Sequence, residues 1–529
     1  MKPRPNIILI TTDQQRGDCL GCDGNPALET PYLDELASRG CRFQHAYTAV
    51  PSCIPARAAM LTGMDQWNHG RLAMCGDDYL EYPATLPGEL TRAGYQTRAV
   101  GKMHFQPQRA HYGFEHMVLD ESGRRHGDFI SDYHQWFAEA REGRYDYRDH
   151  SIGWNSCLAR PTHLPEHLHP TYWTASESIR FLKNRDPLRP FFLWMSFARP
   201  HSPYDAPKVY FDMYDKNPDL PPPAVGEWES QFDFVAKETD PWRGKRSMKE
   251  SMRARAGYYG NITFIDHQIG RVLYELEQFN RLDYRNTLVI FTSDHGDMLG
   301  DHHHWRKSCG LEGAARIPFI VCYPPEWDLP AGQVHEQPVE LRDVMPTILD
   351  AAGVECPPSV DGRSLLDIPR GKGGDWRDFI QGEHNTGDEN GSQYVTDGRE
   401  KYIWFHHTGK ELFFDLASDP HERHNLAGQP GTESRIELWR KHLADTNEKR
   451  GDKRGQNGKL VPITGHDMAD PALSLTPNYF RWKKRGEETM RRLKYGSSEF
   501  RMKATTYSVV AAPESSAPTS LVAHSRGTL

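Results

Sequence analysis

Through about the first 350 residues, short apolar runs alternate with stretches whose apolar positions recur at helical spacing. That alternation predicts a mostly parallel α/β sheet covered by helices on both faces. Four runs read as buried strands: NIILITTD (6–13), TRAVGKMH (97–104), PFFLWMSFARPH ending at His201, and TLVIFTSDHG carrying Asp294 and His295. Between them, TASESIRFLKN predicts a helix opened by the capping pattern Thr174-x-x-Glu177. In NITFIDHQIGRVLYELEQF, Ile262, Ile265, Ile269, Val272, Leu273 and Leu276 fall on one helical face.

The pattern changes near residue 372. GKGGDWRD reads as a linker, and KYIWFHHTGKELFFDL reads as two strands around a glycine turn. The expected organisation is a catalytic α/β domain over 1–372, a smaller α+β domain with an antiparallel sheet over 373–502, and a small-residue-rich mobile tail over 503–529. The basic, aromatic stretch 477–502 reads as a solvated surface helix, with cover over a site rim or a subunit contact as the alternative.

Composition narrows the function classes. At 529 residues the chain is long for a single core. A net charge of −8 gives no reason to expect nucleic acid or a membrane surface as partner. No apolar run approaches the roughly 18 residues of a spanning helix. NIILI is too short for a signal-peptide core, so the chain reads as cytoplasmic, or as periplasmic or secreted if a leader was trimmed. Nine scattered cysteines fit no disulfide framework, and Cys19-x-x-Cys22 reads as a loop thiol pair.

In open α/β sheets, ligands sit beyond the carboxyl ends of the strands. All four strands here end in chemically capable residues: Asp13-Gln14, Lys102 with His104, His201, and Asp294-His295. Asp13, Asp294 and His295 suit one divalent cation. Taken singly, Asp13 also suits a helix cap and His295 a turn. Arg57, Lys102 and Lys307 supply cations for a tetrahedral oxyanion, and His104 and His201 are candidate proton carriers. Cys53 precedes Pro55, which suits the first turn of a helix, so the thiol is expected at a helix N-terminus with Arg57 one turn along. His302, His303 and His304 read as a polar rim, and Trp67, His69 and Trp305 as rim residues for a sugar or aryl group.

Cys53-Ile54-Pro55-Ala56-Arg57, followed by Leu61-Thr62-Gly63, resembles the first signature of the type I sulfatases of the alkaline phosphatase superfamily. GYQTRAVGKMH (94–104) resembles their second signature, and RPHSPY and FTSDHGDMLGDH are similar to two further segments. ELFFDLASDPHERHNLAG (411–428) resembles the C-terminal motif, so the likeness runs from about residue 5 to about 430.

The resemblance implies an alkaline phosphatase-like fold and hydrolysis of an aryl or carbohydrate sulfate ester. It implies conversion of Cys53 to formylglycine by a dedicated maturation enzyme, with the hydrated aldehyde as nucleophile. By position, Asp13, Gln14, Cys53, Asp294 and His295 would surround the cation, calcium first, with magnesium and manganese as alternatives. Arg57 would steady the formylglycine, and Lys102 and Lys307 would hold the sulfate and the leaving oxygen. His104 would act in sulfate release and His201 in leaving-group protonation. Gln14 stands where many relatives have a second Asp, and Ile54 is larger than the usual small residue. The rival readings are a phosphonate monoester or phosphodiester hydrolase of the same superfamily and a non-catalytic sulfoglycan-binding protein. Homo-oligomerisation stays open.

Overall fold

A computed structural model of the chain describes residues 4–492 apart from 77, 122–127, 148, 232–241, 280, 386–389 and 464–472. Met1–Glu487 forms one compact unit and Glu488–Leu529 a second, of which the described residues 488–492 are helical. The expected tail and residues 493–502 of the basic stretch lie outside the described residues.

In chain order the strands begin with β1 (Asn6–Asp13), β2 (Cys41–Phe43), β3 (Ala46–Tyr47), β4 (Gln96–Gly101), β5 (His116–Leu119), β6 (Phe191–Pro200) and β7 (Thr287–Ser293). They continue with β8 (Phe319–Cys322), β9 (Gln333–His335), β10 (Val339–Glu340), β11 (Ile380–His384), β12 (Ser392–Thr396), β13 (Glu400–Phe405) and β14 (Glu411–Asp415). Eight of them form one sheet in the order β5-β4-β6-β1-β7-β8-β2-β9. Every pair in it is parallel except β7–β8 and β2–β8, so the sheet is mixed but mostly parallel, as the sequence predicts.

β1 occupies the centre because both of its faces are apolar. Ile7 and Leu9 join Phe192, Trp194, Leu288 and Ile290 in one core. Ile8 and Ile10 join Leu193, Met195, Val289 and Phe291 in the other. Each such side chain contributes about 1.5–3 kcal/mol of burial. Leu9→Ala would leave a cavity between sheet and helices at a cost of about 2–5 kcal/mol.

Register then decides where the polar strand ends meet. Asp13 on β1 pairs with Pro200 on β6, and Thr12 pairs with Ser293 on β7. Beyond the last pairs, His201 N donates to Asp13 O at 2.9 Å and Asp294 N to Thr12 O at 3.2 Å. β4 stops at Gly101, earlier than the predicted His104, and Lys102 N donates to Ser196 O at 2.9 Å. A Cβ on Gly101 would lie 2.0 Å from Ser196 O, so only glycine brings β4 this close while turning Lys102 out of the strand.

The two helices differ from expectation at their starts. The first spans Pro170–Asn184, with His169 as cap accepting Thr171 N at 3.2 Å, so Thr174 lies inside it. Pro170 sits in the first turn, where its missing N–H costs nothing, and this outcompetes the Thr174 pattern. The second helix runs from Met248 to Phe279, well before Asn261.

β11–β14 form a separate four-stranded antiparallel sheet, with β13 and β14 as the two strands around the glycine turn. One face buries Tyr394, Ile403, Leu412 and Phe414 against Tyr47, Met298 and Leu311. The other face packs Val395, Tyr402 and Phe413 on Ile436, Trp439 and Leu443 of the helix Glu433–Lys449. Within the basic stretch Pro477–Arg492 is helical, and its first turns are docked rather than wholly solvated. Its Tyr479 and Trp482 are buried, with Tyr479 Oη donating to Asp78 at 2.7 Å and Trp482 Nε1 to Asn68 O at 2.8 Å. Among the described residues, no helix is long and apolar enough to cross a membrane.

Candidate active site

Cys53 opens a fully buried helix, Cys53–Thr62, whose first turn contains Pro55. The helix closes at Gly63, whose φ of 67° and N–H to Ala59 O at 2.8 Å supply a left-handed C-cap. Small residues such as Ala56, Ala58 and Ala59 let it sit within the core, placing its N-terminal thiol beneath the carboxyl ends of β1 and β7.

Asp13, Cys53, Asp294 and His295 converge there, with one potential ligand atom from each lying within 4.8 Å of the others, all buried. His295 Nε2 is 3.2 Å from Cys53 Sγ, 3.8 Å from Asp13 Oδ1 and 3.6 Å from Asp294 Oδ1. Its Nδ1 faces the carbonyl of Gly296 at 2.9 Å, which places the ring proton of the neutral tautomer there. Nε2 then presents a lone pair to two carboxylates that only accept. Two buried carboxylates and an imidazole nitrogen converging on one point form a donor set suited to a divalent cation. The residues present therefore fit a metal ion.

Three cations surround this cluster. Lys102 Nζ is ion-paired with Asp13 Oδ2 and stands 3.9 Å from Cys53 Sγ. Lys307 Nζ donates to Cys53 Sγ at 3.1 Å and to Gln14 Oε1 at 3.0 Å. Arg57 Nε donates to Asp294 Oδ2 at 3.0 Å, while its Nη1 binds Ser196 Oγ at 2.9 Å and the Lys102 carbonyl. Arg57 thus ties the ends of β4, β6 and β7 to the cysteine helix.

The electrostatics follow from these contacts. Burial and the Asp13 charge oppose ionisation of Cys53, but Lys102, Lys307 and His295 together bring the thiol down to about 6. Asp13 is desolvated, which alone would raise it, yet Lys102, His201, Lys307 and His295 hold it well below the ordinary carboxylate range. For His201, burial and then Lys307 keep the ring well below its ordinary value. Its Nδ1 faces Ser202 O at 2.8 Å and its Nε2 has no hydrogen-bond partner. His104 is buried two residues beyond Lys102, with its backbone N–H donating to Glu121 Oε1 at 2.9 Å and a φ of 55°.

The rim residues divide. Trp67 and His303 are partly exposed, whereas His69, His304 and Trp305 are buried. His302 is also buried: its Nδ1 accepts Gly226 N at 3.0 Å and its ring lies 4.8 Å from that of Trp228. It is a packed histidine because the left-handed turn at His302, φ 51°, folds its ring inward. All nine cysteines are free, Cys19 and Cys22 among them. Sequence reasoning passed over Asp297, Tyr204, Tyr258 and Glu121, which contact Gln14, its partner Asp297 or the backbone at His104. Asp297 lies inside the FTSDHGDMLGDH run and Tyr204 closes RPHSPY, which were the available signals; Tyr258 carries none.

Comparison with known proteins agrees with this geometry. A family profile described as Sulfatase matches residues 5–354, and one described as N-sulphoglucosamine sulphohydrolase, C-terminal, matches residues 300–449. An arylsulfatase of Clostridium perfringens is 44% identical over 473 residues, covering 87% of this chain and 97% of the relative. A multifunctional alkaline phosphatase superfamily protein of Trinickia caryophylli is 33% identical, covering 81% and 92%. The crystal structure of a phosphonate monoester hydrolase of Agrobacterium radiobacter superposes with a TM-score of 0.68 at 26% identity, covering 84% of this chain and 96% of that one. The chain belongs to the sulfatase family, within the alkaline phosphatase superfamily.

Proposed function

We propose that this pocket hydrolyses an aryl or carbohydrate sulfate ester to the alcohol and inorganic sulfate, with Cys53 acting after its conversion to formylglycine by a maturation enzyme. The observation that carries the reading is the convergence on Cys53 Sγ of two buried ammonium groups and a buried Asp13–Asp294–His295 cluster. A thiol would be a poor use of such a pocket, because the substrate is itself an anion that needs the same cations. The hydrated aldehyde would offer one hydroxyl for attack at sulfur and a second whose deprotonation drives release by C–O cleavage. A serine would lack that exit.

Asp13, Asp294, His295 and the Gln14 amide oxygen would hold the cation, with calcium preferred by an oxygen-rich donor set. When bound, it would acidify the nucleophilic hydroxyl and draw charge from the sulfate oxygens. Lys307, 3.1 Å from the nucleophile's position, would bind a sulfate oxygen and the leaving oxygen. Lys102 would hold a second sulfate oxygen, exchanging part of its pairing with Asp13. Arg57 would fix the Asp294 carboxylate and the base of the nucleophile helix. His201, whose Nε2 has no hydrogen-bond partner, would assist protonation of the leaving alcohol, and His104 would take the proton in sulfate release. The reaction would draw on residues 1–372.

The test pairs two measurements. Mass spectrometry of the peptide spanning Cys53, from a host with the maturation machinery, is expected to show the aldehyde. Turnover is expected to be more efficient on p-nitrophenyl sulfate than on the p-nitrophenyl ester of phenylphosphonate. A wholly unmodified thiol, or a preference for the phosphonate, overturns the reading.

A further inference from the structure

Gln14 stands where a carboxylate is usual in the family, and the structure shows what stands behind it. Asp297 is completely buried, and all four of its contacts are donors. Its Oδ2 accepts Gln14 Nε2 at 2.5 Å and Tyr204 Oη at 2.6 Å. Its Oδ1 accepts Leu299 N at 3.0 Å and Arg306 N at 2.8 Å. On the opposite side of the same amide, Lys307 Nζ donates to Gln14 Oε1 at 3.0 Å and also reaches Cys53 Sγ.

The Gln14 amide is therefore read by an acceptor-only carboxylate on one side and a donor-only ammonium on the other. Only one of its two flip states satisfies both. The backbone gives it no freedom to retreat. Gln14 has φ 76°, its N–H donates to Asp294 Oδ1 at 3.0 Å, and its carbonyl accepts Tyr258 Oη at 2.6 Å. Through Arg306 N, at a residue with φ 68°, Asp297 also fixes the turn that delivers Lys307.

We propose that Asp297 is a positioning residue that aims the Gln14 amide oxygen at the cation site and sets the Lys307 turn, and that its buried charge is the reason position 14 is an amide. A carboxylate at 14 would set two anions within hydrogen-bond distance of each other in a buried site, a costly arrangement without a proton or cation between them. The missing negative charge at 14 has in effect moved one layer back, to Asp297. The proposal rests on the metal-dependent reading above.

The experiment is a double-mutant cycle on metal-stripped full-length protein, reading the dissociation constant for CaCl2 by calorimetry, with folding checked by near-UV circular dichroism. Gln14→Glu keeps the shape of the side chain but opposes charge to charge. Asp297→Asn removes the charge and its bias on the amide. Each is expected to weaken calcium binding by about tenfold or more, and Q14E/D297N is expected to recover, because an Asn donor then faces a Glu acceptor. Coupling above about threefold supports the proposal. Single effects that multiply to within about threefold, or Q14E binding calcium as tightly as the unaltered protein, overturn it. If D297N does not fold, Q14E alone decides by the same criterion. An unaltered protein that binds neither calcium, magnesium nor manganese overturns the metal reading, and this inference with it. Additive variants of a metal-binding protein overturn this inference alone.

Discussion

Glu383, Asp452, Arg450 and Arg454 beside the smaller sheet form one cluster of buried charge, and Asp13, Asp294, Arg57, Lys102 and Lys307 at the strand ends form another. In the first, two carboxylates face two guanidinium groups. Arg454 Nη2 lies 2.5 Å from Glu383 and 2.6 Å from Asp452, and Arg450 reaches the same two at 2.8 Å. Arg454 alongside Arg450 holds Asp452 far below the ordinary carboxylate range despite burial. In the second, three cations face two carboxylates and the Cys53 sulfur, and Lys307 rests on that sulfur and an amide oxygen. His201 Nε2 has no partner, and Gln14, His104 and Arg306 hold left-handed backbone. A charge cluster that neutralises itself is a fastener. One that gathers cations, carboxylates and an imidazole around a single reactive sulfur is arranged for a ligand.

The largest expected effect is at Cys53, the proposed nucleophile position. Cys53→Ser should lower steady-state turnover of p-nitrophenyl sulfate by about 10⁴-fold or more, with little change in melting temperature; retained turnover would put the chemistry elsewhere. Lys307→Ala should lower kcat/KM by about 10²–10³-fold, the scale of losing one oriented charge donor. Steady-state kinetics would check this, and a folded variant with undiminished activity would reduce the Lys307 cluster to a fastener.

Arg454→Ala should do the reverse, leaving kcat of the folded protein unchanged while stability falls by about 3–5 kcal/mol, as when one partner of a buried pair is removed. Denaturant titration reads the first quantity and kinetics the second, and a loss of kcat at constant stability would dissolve the contrast. Stripping divalent ions with a chelator should lower the melting temperature, and added calcium should restore it. At a hundredfold excess over Kd the linkage is worth about 2.7 kcal/mol.

The smallest effect concerns a carboxylate buried without any cation. Asp266 accepts Tyr32 N at 3.2 Å and Leu33 N at 2.8 Å at the start of the helix Pro31–Arg39, and burial pushes its carboxyl up to about 7. Between the ordinary carboxylate value and 7, the unfolded chain releases a proton that the folded chain keeps. Stability therefore falls as pH rises through that window and levels off above it. Thermal melts from pH 4.5 to 7.5 should show this slope, and Asp266→Asn should flatten it.

The sheet and its chemistry were legible early because buried parallel strands are continuous apolar runs, and a polar residue ending one is conspicuous. Asp13, Lys102, His201 and Asp294 stand out for that reason, and Cys53 for its Pro and Arg neighbours. Helix starts were less legible: His169-Pro170 outcompeted Thr174, and the helix beginning at Met248 opens on the capping box Ser247-x-x-Glu250, which lies well before the apolar periodicity that marks the helix from Asn261 onward. His69, His302, His304 and Trp305 are buried rather than on an open rim, because proximity along the chain to the motifs does not set which way a side chain packs.

By itself, then, the sequence determined the class of fold, the family, and the residue types available to the site, since periodicity and motif spacing are properties of the chain. Only the tertiary structure decided which of them meet. The register of β1 with β6 and β7 sets Asp13 beside His201 and Asp294, and Gly101 brings Lys102 to Ser196. Contacts such as Gln14 with Asp297, 283 residues apart, depend on packing that local pattern does not encode.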